Sequence, residues 1–82
     1  MIEGQEGVSW DEWVALADAC EEHGVGALFR SDHYLSQAAP RARTATDAWA
    51  RPAGLTAHTT RLRLATLVSP VTFRHPAVLA KA

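Results

Sequence analysis

Ser31, Asp32 and His33, three residues in a row, have the clearest means for chemistry in this sequence. An imidazole takes or gives a proton near neutral pH. The carboxylate beside it can fix the imidazole tautomer or accept a hydrogen bond from a ligand hydroxyl. The alternative is a loop aspartate capping backbone amides beside a solvated histidine, and the pair alone leaves both readings open. A second stretch, Leu67-Val68-Ser69-Pro70, runs from apolar residues into turn chemistry. Farther on, Phe73-Arg74-His75-Pro76 offers Arg74, which either reaches an anion or pairs with a carboxylate, and the pattern favours the ion pair. His23 and His58 fall at helix ends, where a helix dipole accounts for them. Cys20 lies on an apolar stripe and reads as core rather than nucleophile. Trp10, Trp13 and Trp49 read as packing residues. Neither a glycine-rich phosphate loop nor a serine-nucleophile elbow is present.

Residues that do chemistry need elements to hold them. The first is a helix announced by Ser9-Trp10-Asp11-Glu12, which has the form of a capping box. Trp13, Leu16, Ala17 and Cys20 then form one apolar stripe, and Gly24 supplies a left-handed end. Residues 25–29 are a short apolar run that predicts a parallel strand buried on both faces, with Ser31-Asp32-His33 directly after it. Residues 35–46 have no apolar period and read as a surface loop. A second helix is expected from Thr46 or Asp47, as N-cap, to about His58. Pro52 demands either a kink or a later start. Residues 62–68 predict a second strand. His75-Pro76 opens a third helix, with proline at its favoured first position, running to Ala82. Alternating helix and strand implies a parallel sheet covered by helices. In such sheets the loops after the strands build the active site.

Composition narrows the classes. The 82 residues are 48% hydrophobic and 21% charged with net charge −1, as in an ordinary soluble globular protein. That charge, with only short arginine pairs at 41/43 and 61/63, argues against a nucleic-acid partner. No apolar run approaches the roughly 18 residues of a membrane span. The acidic N-terminus is unlike a signal peptide, which makes the cytoplasm the default location. One cysteine allows no internal disulfide, and no metal-ligand spacing occurs. A chain of this size buries only about 60% of the surface its unfolded form exposes. The expectation is therefore either self-association or membership of a larger domain.

Three segments together resemble the luciferase-like monooxygenases. They are residues 13–29, ending Gly24-Val25-Gly26-Ala27-Leu28-Phe29, then Ser31-Asp32-His33-Tyr34, and the run RLRLATLVSPVTFRHPAVLAK ending at Lys81. The likeness is nearest to the branch that uses the deazaflavin coenzyme F-420, with FMN as the alternative cofactor. It implies an α/β fold in which residues 1–82 are one partial domain, an N-terminal fragment of a (β/α)8 TIM barrel incomplete at both ends. Residues 25–29 would be barrel strand two, 62–68 strand three, and residues 1–5 the tail of strand one. By the same resemblance His33 is the catalytic residue beside the reactive face of the coenzyme. Asp32, His33, Leu67, Val68 and Ser69 would bind the coenzyme, with a non-prolyl cis peptide at Leu67-Val68. The implied activity is hydride transfer with the coenzyme, or oxygen insertion into an organic small-molecule substrate if the coenzyme is FMN. Such a barrel needs roughly 250 residues, so this length is expected to be inactive alone. The rival expectation is a noncatalytic α/β interaction module, or an inactive truncated product.

Overall fold

The computed structural model of the chain describes residues 1–3, 7–33 and 46–81. Helix α1 spans Trp10–Glu22, strand β1 Ala27–Arg30, helix α2 Ala50–Leu55, strand β2 Arg63–Thr66 and helix α3 Pro76–Leu79. The expected loop at 35–46 up to residue 45, Tyr34 in the Ser-Asp-His-Tyr run, and Ala82 all lie outside the described residues.

Local chemistry explains α1 at both ends. Ser9 Oγ accepts from the Glu12 amide at 3.2 Å, and the Ser9 amide donates to Glu12 Oε2 at 2.8 Å, completing the capping box. The backbone amide of Ser9 holds the Glu12 carboxyl below its usual range, aided by the Ser9 hydroxyl. At the other end the Gly24 amide donates to Glu21 O and the Val25 amide to Cys20 O. Gly24 has φ 74°, so the helix closes in a Schellman motif. That motif corrects the expected strand boundary. Val25 belongs to the helix ending, and pairing starts only at Ala27.

β1 and β2 are parallel neighbours, with Leu28 opposite Leu64 and Arg30 opposite Thr66. Side chains alternate across a strand, so these four share one face. The helices cover it: Leu28 joins Trp13, Ala17, Cys20, Leu55 and Leu62 in one core, with Leu64 packed against it. On the opposite face Phe29, Ala27 and Ala65 are half-buried. The expectation of burial on both faces is thereby corrected, because among the described residues helices cover only one side. Ile2 extends the order. Its amide donates to Phe29 O at 2.9 Å and its carbonyl accepts from Ser31 at 3.1 Å, a parallel bridge on the β1 edge away from β2.

The second helix starts later than its sequence signals and stops sooner. Asp47 Oδ1 accepts from the amides of Trp49 (2.9 Å) and Ala50 (2.8 Å), so Asp47 does cap this end. Regular helix begins at Ala50, which places Pro52 in the first turn, where an amide has no partner inside the helix. After Leu55 the bonds tighten to Ala57 N–Gly54 O and His58 N–Leu55 O, so residues 56–58 are turn rather than helix. Gly54 takes the ring of Trp10 against its backbone, where a Cβ would meet the ring at 2.9 Å. The second strand is shorter than residues 62–68, ending at Thr66. α3 is one turn long, with His75 as N-cap accepting from Ala77 and Pro76 at the start.

Candidate active site

Several polar residues that the sequence singled out, Ser31, Asp32, His33, Ser69 and Arg74, lie where β1 and β2 end. Ser31, Asp32 and His33 follow β1 directly; Leu67, Val68 and Ser69 follow β2. Parallel pairing puts both exits at the same end of the sheet. The Leu67 amide continues the ladder to Arg30 O at 2.8 Å, and the peptide after it, Leu67-Val68, is cis. Leu67 and Val68 then turn outward, 48% and 63% exposed, with Val71 and Phe73 also exposed beyond them. His33 is half-buried.

Asp32 is the most enclosed member, 1% exposed. Arg74 Nη1 donates to Asp32 Oδ2, and Arg74 Nη2 to Oδ1 at 3.3 Å, a two-pronged pair. The same Arg74 Nη2 donates to Asp47 Oδ2 at 2.6 Å. Arg74 is thus the ion-pairing residue that its sequence context favoured. The hydrogen bonds it donates to Asp32, and then to Asp47, hold its guanidinium above the usual arginine range. Partial burial works to raise the Asp47 pKa. The bonds from Arg74, Ala50 and Trp49 outweigh it and leave the carboxyl below its usual range.

A hydroxyl joins this cluster in a determined sense. Ser69 Oγ lies 2.8 Å from Trp49 Nε1, 3.3 Å from Asp32 Oδ2 and 2.7 Å from Thr66 Oγ1. An indole N–H only donates and an ionised carboxylate only accepts. Ser69 must therefore accept from Trp49 and give its single proton to Asp32, so Thr66 is the donor in the third contact. All three positions of the Ser69 hydroxyl are filled.

Arg30 is the residue that sequence reasoning missed. It ends β1 facing the helices, 1% exposed, with its guanidinium carbon 5.5 Å from the centre of the Trp13 ring. It donates to Ser31 O (3.2 Å), Thr46 O (3.0 Å), Thr46 Oγ1 (3.4 Å) and Asp47 O (3.3 Å). Burial pushes its pKa down, Arg51 adds to that, and Asp32 and Asp47 oppose it. A charged residue ending an apolar run, directly before Ser-Asp-His, was the available signal. Cys20 and Trp13 are core residues as expected. Trp49 does more than pack, since its indole is a donor in the cluster.

These features define a class: an α/β protein on a parallel sheet, with its polar cluster beyond the carboxyl ends of the strands, where such sheets place their ligands. A model of the luciferase-like monooxygenases matches residues 2–82, and the chain belongs to that family. The family is one of flavin-type oxidoreductases and monooxygenases, generally dependent on a flavin or deazaflavin. No curated protein and no solved structure matches the chain. No described helix is long and apolar enough to cross a membrane.

Proposed function

We propose that these elements belong to a (β/α)8 barrel that transfers hydride between a small organic substrate and a deazaflavin of the F-420 type, with FMN the alternative. The observation that carries this reading is that His33 and two exposed apolar residues, Leu67 and Val68, follow neighbouring strands at the same, carboxyl end of a parallel sheet. Family membership supports the cofactor class. Three parallel segments in sequence order, Ile2, β1 and β2, support the barrel.

The residues fit a flat tricyclic ring. Such a ring needs an apolar surface for its face and polar groups at its rim. Leu67 and Val68 offer the first and His33 the second, while the fully bonded Ser69 hydroxyl holds the platform from behind. When bound, the coenzyme supplies the hydride chemistry, and the protein contributes placement and proton handling. His33 would hold or move a proton on an imidazole nitrogen beside the coenzyme. Asp32 acts from behind through Ser69 and Arg74. Leu67 and Val68 would exclude water from the ring face that rests on them.

Fluorescence titration of the native protein, the complete barrel of this proposal, with each coenzyme tests the reading. Binding of the deazaflavin at micromolar or lower concentration, with FMN weaker, is the expected result. An absence of binding to both would remove the oxidoreductase reading and leave a noncatalytic module that pairs its sheet edge with another chain.

A further inference from the structure

Five residues from three separate segments close into a ring. Asp32 accepts from Arg74, which donates to Asp47. Asp47 accepts from the Trp49 amide, the Trp49 indole donates to Ser69, and Ser69 donates back to Asp32. Thr66 feeds the ring from β2 through Ser69. The segments joined are the exit of β1, the entry to α2 and the exit of β2. We propose that this ring sets the position of the 67–69 platform relative to His33, which makes Arg74, Trp49 and Thr66 positioning residues for the coenzyme. This inference rests on the functional reading above.

The physical case has three parts. Residues 67–74 have no regular structure of their own, apart from a turn closed by Phe73 N to Pro70 O at 3.0 Å. The Leu67 amide ties the start of this segment to Arg30 O, and beyond it the exposed Leu67 and Val68 side chains hold little, so the side-chain bonds of Ser69 and Arg74 carry much of its placement. Both of those bond to Asp32, which immediately precedes His33. The ring has one buried carboxylate and one more open one on a single guanidinium, so the charge of Asp32 is matched without solvent. Its hydroxyl member has no spare position, which leaves a single orientation rather than several.

The test removes ring bonds at residues that lie off the platform. Trp49→Phe deletes the indole donor, with some ring volume, and keeps the Trp49 amide bond to Asp47. Thr66→Val deletes the hydroxyl that feeds Ser69, and Thr66→Ser restores it. Coenzyme dissociation constants are read by fluorescence on the native protein, together with the unfolding midpoint and the amide exchange of residues 32–33 and 67–69. Trp49→Phe and Thr66→Val should each weaken coenzyme binding roughly 3–10-fold, the loss of one hydrogen bond. Exchange at residues 67–69 should quicken, the unfolding midpoint should barely change, and Thr66→Ser should bind as the native protein does. Dissociation constants within about twofold of native in both variants would overturn the proposal. Should the native protein bind neither coenzyme, the functional reading fails and exchange alone judges the ring. Local quickening then upholds it, and unchanged exchange overturns it.

Discussion

Asp32 carries more of the arrangement than any other residue. A carboxylate 1% exposed must be matched, and Arg74 matches it with two donors. Truncating Arg74 leaves that charge uncompensated inside the protein. Arg74→Met should therefore lower the unfolding free energy by about 3–5 kcal/mol, measured by urea denaturation. Adding Asp32→Asn should recover part of the loss, because no bare charge then remains. A cost below about 1 kcal/mol for Arg74→Met would mean that the pair is screened by solvent, as surface pairs are. Little of this was legible beforehand. Ser31-Asp32-His33 stood out because proton-handling types adjoin an apolar run. The partnership of Asp32 with Arg74, 42 positions away, and of Arg74 with Asp47, 27 away, left no local pattern. Trp49 read as a packing residue because its ring dominates its chemistry on paper, and nothing nearby named Ser69 as the acceptor of its N–H.

Elements were legible where their signals are short-range. Ser9 and Glu12 stand three apart, and the capping box they predict is formed. Gly24 ends α1 as its type demands. The errors arose where two devices compete for one residue. Val25 is apolar and looks like strand, yet its amide is taken by Cys20 O in the helix ending. Asp47 caps from three residues before regular helix begins, which is why Pro52 does no harm. One contact between elements escaped altogether. Glu21, at the end of α1, accepts from the amides of Leu62 (2.7 Å), Arg61 (2.8 Å) and Thr60 (2.9 Å), tying α1 to the turn before β2. The Leu62 and Arg61 amides hold its carboxyl below the ordinary value of 4.5. A depressed carboxylate pKa stabilises the fold above the unfolded value, and that contribution disappears as pH falls through the folded one. Glu21→Gln should therefore melt below the native chain near neutral pH, with the gap closing below about pH 4. Melting curves at several pH values check this; a gap independent of pH would assign the effect to shape rather than charge.

At the scale of the molecule, the parallel β1–β2 pair and the Ile2 bridge put three segments in sequence order, with helices on one face. The alternation of helix and strand in the sequence was enough to expect that order. It could not show how the far side of the sheet would be covered, because an apolar run of five residues reads alike whether one face or both are buried. The half-buried side bearing Phe29 and Ala65 is the side that the barrel reading turns inward. Family membership and the convergence at the strand ends then make one claim central: His33 handles a proton beside the coenzyme. Measuring turnover and melting temperature of His33→Ala on one preparation of the native protein tests it most directly. The account predicts kcat lower by about 10²–10⁴-fold, the scale of a positioned acid or base. Melting should scarcely change, because a half-buried residue beyond a strand contributes little to the core. Turnover within about threefold of the native protein would contradict the account.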